Sequence, residues 1–362
     1  MIGRRRTRKV RVGDVAIGGG APVTVQSMTK TDTRDVDGTL RQLERLAQAG
    51  CEIARCAIPD AAAAEALAEI RRRSPLPLVA DIHFDYRLAL AAIAAGADKL
   101  RINPGNIGGR ERVREVARAA RERGIPIRVG VNSGSLEKDL LAKFGRPCAD
   151  ALVESARRSA GLLEDEGFGD IVISIKASDV VTTVEGCEAI AEATDYPLHV
   201  GLTEAGGPRA GTVKSAVVIG ALLLKGIGDT IRVSLTAEPE EEVRVARDIL
   251  SAVGQRQFGV EIISCPTCGR CHGDLFGMVE EVERRVAGID VPLKAAVMGC
   301  EVNGPGEARE ADIGVALGEG AGLLFAHGKP VGRVPDGEVV ERLVEEIRKI
   351  ARERRDAAGG LV

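Results

Sequence analysis

Aromatic side chains are scarce in this 362-residue chain, which has no Trp and only 2% Phe, Trp and Tyr together. With 44% hydrophobic residues, its core must be built from Val, Ile, Leu and Ala, as is typical of α/β proteins. No apolar run approaches the roughly 18 residues that suggest a membrane span. An excess of one charge is also lacking, since 50 basic residues stand against 53 acidic ones. The chain therefore has no bulk field that would favour nucleic acid.

The N-terminal segment is basic but lacks the apolar core of a secretory signal. Its pattern VRVGDVAIG at residues 10–18 predicts a short hairpin. Eight cysteines without such a signal indicate the reducing cytoplasm rather than disulfides. The length favours about two domains, and a restart of the pattern after a helical run predicts a boundary near residue 257.

Short β-rich runs recur through the first part of the chain, each followed by a helical stretch rich in Ala, Glu and Arg. The eight runs lie at residues 23–28, 52–58, 76–82, 99–104, 126–132, 171–176, 198–203 and 230–236. Alternating strands and helices favour parallel pairing through right-handed crossovers. Eight units over about 250 residues predict a (β/α)8 or TIM barrel. A doubly wound open sheet is the alternative, but its glycine-rich phosphate fingerprint is missing after the first strand.

The predicted strands alternate with a period of two, whereas parallel strands buried on both faces normally read as continuous apolar runs. In the fifth, Ile127, Val129 and Val131 share one face while Arg128 and Asn132 share the other. The apolar face packs on helices, so the polar face points into the barrel, where an unpaired guanidinium would be costly. Five cations converge there by this pattern: Arg55, Arg101, Arg128, Lys176 and Arg232. Because Arg suits bidentate phosphate recognition, we expect a phosphorylated or diphosphorylated ligand.

Acidic residues are too few in this predicted lumen to neutralise five cations. Asp81 and Glu204 are the only acids that the pattern places at or just beyond the C-terminal end of a strand. Glu204 follows the seventh strand directly, a position suited to proton transfer; a salt bridge to a lumenal Arg is the alternative. His83 and His199 are further acid/base candidates, although a lone strand histidine is more often a hydrogen-bonded core residue.

Half of the cysteines cluster beyond the predicted barrel. Cys265, Cys268 and Cys271 form a CxxCxxC run, Cys300 follows in MGCEVNGPGEA, and Glu307 lies seven residues further on. Thiolates select iron-sulfur clusters or zinc, and the spacing alone leaves both open. The other four are scattered at helix and strand positions and are expected in the core: Cys51, Cys56, Cys148 and Cys187.

A small α+β domain is predicted after the barrel. Its elements are a strand at 259–265, a helix at 273–288, strands at 293–299, 311–317 and 322–327, and a helix from 337 to about 354. Cys265 and Cys300 would each end a strand, and neighbouring strand ends could assemble a four-ligand site from distant sequence. The tail DAAGGLV is expected to fray.

Long segments of the chain resemble the bacterial 4-hydroxy-3-methylbut-2-enyl diphosphate synthase family of the non-mevalonate isoprenoid pathway. They are VQSMTKTDTRDV, ADIHFDYRLAL, RINPGNIG, SIKASDV, GLTEAG, GIGDTIRVSLT, SCPTCGR and MGCEVNGPGEA. The resemblance implies a TIM-barrel substrate-binding domain over residues 1–257 and a 4Fe-4S cluster domain over residues 258–362. It implies reductive ring opening and dehydration of 2-C-methyl-D-erythritol 2,4-cyclodiphosphate to (E)-4-hydroxy-3-methylbut-2-enyl diphosphate, by two one-electron transfers. The family also implies a homodimer that opens and closes, with flavodoxin or ferredoxin as the electron donor.

The same resemblance assigns roles to residues of this sequence. The implied cluster ligands are Cys265, Cys268, Cys300 and, on the fourth iron, the carboxylate of Glu307. Glu204 matches the proposed acid/base carboxylate. The implied diphosphate-binding residues are Arg55, Arg101, Arg128, Asn132, Lys176, Arg232 and Ser234. Cys271 is a departure, because the family does not generally need a cysteine there, and its role stays open.

Two rival functions remain compatible with the residues. One is a phosphate-binding TIM-barrel lyase or synthase that carries a structural zinc domain. The other is a non-catalytic iron-sulfur electron carrier or sensor. Iron and sulfide content would separate the first rival from the synthase reading, and turnover of the cyclodiphosphate would separate the second.

Overall fold

The computed structural model describes residues 3–302 and 304–359, except for the side chains of Pro305, Glu307, Ala358 and Gly359. The chain divides into two compact units, one ending at Arg256 and the other beginning at Gln257. This division lies one residue before the boundary expected from the sequence.

The first unit opens with an antiparallel hairpin of β1 (Lys9–Val12) and β2 (Val15–Gly18), as its pattern predicts. Eight parallel strands follow in one sheet, in the order β8-β7-β6-β5-β4-β3-β10-β9. They are β3 (Thr24–Met28), β4 (Ile53–Ala57), β5 (Leu78–Asp81), β6 (Lys99–Ile102), β7 (Ile127–Asn132), β8 (Ile171–Lys176), β9 (His199–Val200) and β10 (Thr230–Ile231). A bridge between Ile173 and Leu198 joins β8 to β9 and completes the cylinder. The predicted TIM barrel is confirmed.

Helices alternate with these strands. They are α1 (Val36–Gln48), α2 (Ala61–Arg73), α3 (Tyr86–Ala94), α4 (Gly109–Arg123), α5 (Lys138–Phe144), α6 (Ala149–Glu164), α7 (Val180–Ala193), α8 (Pro208–Leu224) and α9 (Pro239–Ala252). Asp35, Asp60 and Asp179 each begin a helix by accepting a hydrogen bond from the backbone N–H three residues on. No helix in the described part of the chain has the length and apolar character needed to cross a membrane.

The seventh and eighth barrel strands, β9 and β10, are shorter than the sequence predicts. Only two residues of each are strand, instead of the runs 198–203 and 230–236. Gly201, directly after β9, has a φ of 155°, and a Cβ there would lie 2.2 Å from the carbonyl oxygen of Arg232. The chain leaves the extended conformation at that close approach, so Arg232, Ser234 and Glu204 lie beyond the strands.

The hairpin closes the end of the barrel at which the strands begin. Val12 and Ile17 of the hairpin pack against Ile53 and Val79 in one buried cluster. Ile53 starts β4 and Val79 is the second residue of β5. The lumen is therefore sealed by aliphatic side chains at one end, and a ligand must enter at the C-terminal ends of the strands, as in other TIM barrels.

The second unit is the small α+β domain that the sequence predicts. Its sheet has the order β11-β12-β13-β14-β15, parallel across the first three strands and antiparallel across the last three. The strands are β11 (Val260–Ser264), β12 (Leu293–Met298), β13 (Ile313–Leu317), β14 (Ala321–Ala326) and β15 (Lys329–Pro335). The helices are α10 (Leu275–Val286), α11 (Gly304–Glu307) and α12 (Val339–Gly359).

Two features of this domain correct the sequence-based expectation. The strand β15 was missed because Pro330 and Pro335 argue against a central strand, yet proline is tolerated on an edge strand such as this one. The helix α12 continues to Gly359 and so includes the first residues of the tail that was expected to fray. The rest of that tail lies outside the described residues.

Three of the four scattered cysteines lie in the core, as expected. Burial raises the pKa of Cys51 to about 12, that of Cys56 to about 11 and that of Cys187 to about 12. Cys148 is only half-buried, at the residue that precedes α6.

Candidate active site

A polar cavity of about 100 Å³ lies in the barrel lumen. All seven residues that were expected to bind a diphosphate line it: Arg55, Arg101, Arg128, Asn132, Lys176, Arg232 and Ser234. Asp81, His83, Ser174, Leu202 and Thr203 complete the lining. The structure thus brings together side chains that lie up to about 180 positions apart in the sequence.

The strand register explains this convergence. Arg101 of β6 is paired with Arg128 of β7, and Asn132 of β7 is paired with Lys176 of β8. Because side chains alternate across a strand, residues at these matched positions point to the same face. The polar faces of β4, β6, β7 and β8 therefore each contribute one cation to the same lumen, and Arg232 adds a fifth from just beyond β10.

Four cations of the cavity, Arg55, Arg101, Arg128 and Lys176, are buried, Arg232 is half-buried, and the group is mutually repulsive. Arg128 is 1% exposed, and its Nη1 donates one hydrogen bond to Ser174 Oγ at 3.3 Å. Burial, with Arg55 and Arg101 adding repulsion, holds the pKa of Arg128 well below its ordinary value. Burial and the cations Arg128, Arg232 and Arg55 lower the pKa of Lys176 in the same way. This clustering favours a multiply charged anion, since each negative charge on a ligand would relieve several repulsions.

Asp81 is the carboxylate of β5 in this cavity. Its Oδ1 lies 3.3 Å from Arg101 Nη1, and its Oδ2 lies 3.8 Å from Arg55 Nε. Burial alone would raise the pKa of Asp81, but Arg55, His83 and Arg101 outweigh it and hold the pKa below its ordinary value. Burial lowers the pKa of Arg55 to about 10, and the nearby carboxylate of Asp81 limits that fall.

A buried carboxylate beside the cavity, Glu242, is an acid that the strand pattern did not predict. Glu242 comes from α9 and is 2% exposed. Its Oε2 lies 3.5 Å from Arg232 Nη2, and its Oε1 accepts a hydrogen bond from the Leu235 backbone N–H at 3.0 Å. Strand alternation could not reveal an acid that reaches the lumen from a helix.

Lys99 is a sixth buried cation-forming group that the sequence analysis overlooked. It is fully buried, and it lies two residues before Arg101 on β6. The period of two that identified Arg101 assigns Lys99 to the same lumenal face, so the signal was present in the sequence.

The acid/base candidates differ in their surroundings. Glu204 is exposed, has a φ of 52°, and is not among the residues that line the cavity. His83 lines the cavity and its Nε2 lies 3.5 Å from Asp81 Oδ2. His199 is fully buried, and neither of its ring nitrogens makes a hydrogen bond within the described chain. His199 is a core residue, as expected, but the expected hydrogen bond is not found among the described residues.

The second unit has its own candidate site, at the C-terminal ends of β11 and β12. Cys265 follows β11 directly, and Cys300 lies two residues after β12, which is the neighbouring parallel strand. Together with Cys268 they border a cavity of about 180 Å³. The backbone N–H of Gly299 donates to Cys265 Sγ at 3.2 Å.

Cys271 lies beside this group without lining the cavity. A Cβ on Gly299 would lie 2.7 Å from Cys271 Sγ and 3.4 Å from Cys265 Sγ, so only glycine fits between the two sulfurs. Burial, followed by repulsion from Cys265, Cys268 and Cys300, raises the pKa of Cys271. The four thiols therefore form one electrostatically coupled group.

The arrangement can be tested against the metals that thiolates bind. Within residues 3–302 and 304–359, no three Cys, His, Asp or Glu side chains are arranged to hold a single metal ion. Three thiols that border one cavity are a donor set that an iron-sulfur cluster can use. Glu307 ends the short helix α11, and its side chain lies outside the described part of the structure.

Fold and cavity together define an anion-binding TIM-barrel protein with an attached thiol-bearing α+β domain. Residues 7–247 match the GcpE TIM-barrel domain, and residues 261–349 match the GcpE protein C-terminal domain. The chain belongs to the GcpE family.

Curated relatives extend over nearly the whole chain. A protein of Geobacter sulfurreducens is 58% identical over 97% of this chain and 99% of its own length. One from Anoxybacillus flavithermus is 58% identical over 98% of this chain and 97% of its own length. Both are named 4-hydroxy-3-methylbut-2-en-1-yl diphosphate synthase (flavodoxin).

Solved structures share the fold at low sequence identity. N-acetylneuraminic acid synthetase from Leptospira borgpetersenii has a TM-score of 0.51 at 11% identity, over 78% of this chain and 98% of that chain. Dihydropteroate synthase from Stenotrophomonas maltophilia has a TM-score of 0.50 at 13% identity, over 68% of this chain and 97% of that chain. These likenesses concern the fold alone.

Proposed function

We propose that this chain is an iron-sulfur oxidoreductase that converts 2-C-methyl-D-erythritol 2,4-cyclodiphosphate into (E)-4-hydroxy-3-methylbut-2-enyl diphosphate. The reaction opens the ring reductively and removes water. The observation that carries the proposal is a lumenal cavity lined by four Arg and one Lys, in a chain whose relatives are named for this activity.

The cations of the cavity hold the cyclic diphosphate. Arg55, Arg101, Arg128, Lys176 and Arg232 supply the charge, and the neutral side chains of Asn132 and Ser234 supply further hydrogen bonds. Breaking the ring C–O bond leaves negative charge on a phosphate oxygen. Preorganised guanidinium groups stabilise that charge as it develops, without the reorganisation that water would need.

The thiolates of Cys265, Cys268 and Cys300 hold a 4Fe-4S cluster, with the Glu307 carboxylate as the fourth ligand. When bound, the cluster supplies electrons one at a time and a Lewis-acidic iron. A carboxylate holds iron less firmly than a thiolate does, so Glu307 leaves one corner exchangeable. Because these ligands require reduced thiols, the proposed enzyme belongs in a reducing compartment such as the cytoplasm.

Glu204 supplies the proton for the loss of water. It follows β9 at the mouth of the barrel. Its backbone has a φ of 52°, a conformation that is costly for a residue other than glycine. Such conformations cluster at functional sites. The names of the relatives support flavodoxin as the electron donor, with ferredoxin as the alternative. The homodimer rests on the family resemblance alone.

Metal and sulfide analysis of protein purified without oxygen tests this proposal, together with turnover of the cyclodiphosphate under a chemical reductant. We expect about four iron and four sulfide per chain and formation of the linear diphosphate. Zinc in place of iron would establish the rival lyase with a structural zinc domain. A full iron-sulfur complement without turnover would establish the electron carrier.

Single Cys→Ser variants test the ligand assignment. Cys265→Ser, Cys268→Ser and Cys300→Ser should each lose the cluster absorbance and the activity together. Cys271→Ser is the matched control and should keep both, since Cys271 lies outside the cavity lining. Loss of the cluster in Cys271→Ser with retention in Cys300→Ser would show that the assignment is wrong.

A further inference from the structure

A second polar layer lies beneath the substrate cavity. We define this floor layer as Thr24, Gln26, Lys99, His199 and Thr230, all of which are buried. Thr230 is paired with both Thr24 and His199 across β3, β10 and β9. The Nζ of Lys99 donates to Gln26 Oε1 at 3.3 Å. The register joins Thr24, Thr230 and His199, and the contact joins Lys99 to Gln26, which lies two residues after Thr24 on β3. These two connected groups make up the floor layer.

The floor layer lies closer to the N-terminal ends of the strands than the cavity does. Lys99 precedes Arg101 by two residues on β6, and Thr230 precedes Arg232 by two on the β10 segment. The aliphatic hairpin cluster closes the barrel on one side of the floor layer. On the other side, the layer borders the polar cavity.

Polar groups of the floor layer are not satisfied within the protein. Both ring nitrogens of His199, the hydroxyls of Thr24 and Thr230, and Nε2 of Gln26 make no hydrogen bond among the described residues. Such groups are costly when buried. A layer of this kind is free to reorganise when the charge above it changes.

Besides its hydrogen bond to Gln26 Oε1, the charges that act on Lys99 among the described residues are cations. Burial lowers its pKa well below the ordinary value, and Arg128 and Arg55 lower it further. His199 feels the same repulsion, since burial, Arg128, Lys176 and Lys99 lower its pKa.

The carboxylates of the lumen are engaged elsewhere. Asp81 pairs with Arg101 and Arg55, and Glu242 pairs with Arg232. The elements around Lys99 therefore present Arg55 from β4, Arg128 from β7, His199 from β9 and the neutral Gln26 from β3.

We propose that Lys99 is a neutral amine in the ligand-free protein and takes up a proton when a polyanion binds in the cavity above it. The positive charge formed on Lys99 then balances part of the negative charge of the bound ligand, and it is present only while the ligand is bound. This inference rests on the proposed function for its ligand, because it needs a multiply charged anion in the cavity.

The ligand chemistry makes the proton traceable. Each phosphorus of the cyclodiphosphate carries one strongly acidic oxygen, so the ligand is fully ionised near neutral pH and exchanges no proton itself. Negative charge near a buried amine favours its ammonium form. By linkage, a group that binds a proton together with the ligand makes the affinity fall as the pH rises.

Titration calorimetry of the cyclodiphosphate, in buffers of different ionisation enthalpy, measures this proton directly. For the wild-type holoprotein we expect an uptake of about one proton per ligand near neutral pH. Lys99→Met should lose most of that uptake and weaken binding on the order of tenfold. Lys176→Met tests whether the other buried lysine takes up the proton instead. Lys214→Met, on the exposed surface of α8, is the matched control and should behave as wild type.

Each outcome bears on the inference. A wild-type binding enthalpy that does not vary with the buffer overturns it, whatever the variants do. Full uptake in Lys99→Met, with loss of uptake in Lys176→Met, overturns the assignment to Lys99. If the cyclodiphosphate does not bind at all, the proposed function fails. Sulfate, which is also fully ionised, then tests the floor layer separately in the same buffers.

Discussion

Arg128→Met should weaken binding of the cyclodiphosphate without destabilising the ligand-free protein. Arg128 is the most enclosed guanidinium of the cavity, at 1% exposure, with a single hydrogen bond at 3.3 Å to Ser174. Burial and the repulsion of Arg55, Arg101 and Arg232 oppose its charge, and only Asp81 favours it. The Met side chain is shorter than that of Arg, but it is flexible, fills a broadly similar volume and carries no charge.

The magnitudes follow from these surroundings. Loss of one charge-assisted hydrogen bond to the ligand costs about 1.5–3 kcal/mol, which corresponds to a roughly tenfold to hundredfold higher Kd for the cyclodiphosphate. Replacing a poorly compensated buried charge by an apolar side chain of similar volume is often neutral or stabilising by about 1–4 kcal/mol. We therefore expect the free energy of unfolding of the ligand-free protein to rise or stay unchanged.

Calorimetry measures the affinity, and urea unfolding followed by circular dichroism measures the stability. Arg118→Met is the matched control, because Arg118 is exposed on α4 and pairs with Glu122 at 2.9 Å. That variant should leave both quantities within about 0.5 kcal/mol of wild type. A destabilised Arg128→Met protein that binds the cyclodiphosphate normally would show that Arg128 is a structural core residue and that the account of the cavity is wrong.

Three further predictions concern the same domain. Gly130→Ala should raise KM without removing a charge, because the new Cβ would lie 2.6 Å from Arg101 Nε; Gly161→Ala, with open space around its Cβ, should instead stabilise the protein by about 0.5–1 kcal/mol. Asp81→Asn should make the free energy of unfolding depend less on pH in the acid range. Neighbouring cations outweigh burial and hold the pKa of Asp81 below 3.8, so its contribution to stability is present above that pH and is lost as the pH falls. Unfolding measured at a series of pH values tests this. Glu204→Gln should bind the cyclodiphosphate and keep its cluster while turnover stalls; normal turnover would exclude Glu204 as the proton donor.

Strand alternation predicted the cavity because the barrel converts a linear pattern into a shared space. A period of two, read on separate strands, assigned Arg55, Arg101 and Arg128 to one face, and closure of the sheet then required those faces to meet. The same rule pointed to Lys99, and its omission came from counting only the cations nearer the C-terminal ends of the strands. The TIM barrel, the α+β domain and the thiol cluster followed from equally local patterns.

The remaining features depend on contacts that no local pattern encodes. Glu242 reaches Arg232 from a helix, so its role is set by the packing of α9 rather than by strand periodicity. The edge strand β15 exists because β14 offers it a partner, against the preference of its own prolines. The exposed position of Glu204 follows from the early end of β9, which a run of β-rich residues could not indicate.

Glycine makes room for the long cations of the lumen, and this links the sequence of the strands to their irregularity. Gly130 occupies a lumenal position of β7 where a Cβ would collide with Arg101, and a Cβ on Gly201 would lie 3.1 Å from Lys176 Nζ. Glycine in a strand interior weakens the strand, and β9 ends at the residue before Gly201. At Gly201 the nearest atom to such a Cβ is the backbone carbonyl oxygen of Arg232, at 2.2 Å, whereas at Gly130 it is Nε of the Arg101 side chain, at 2.6 Å. Glycine is therefore required at position 201 by the approach of two backbone segments, and at position 130 by a cation of the lumen.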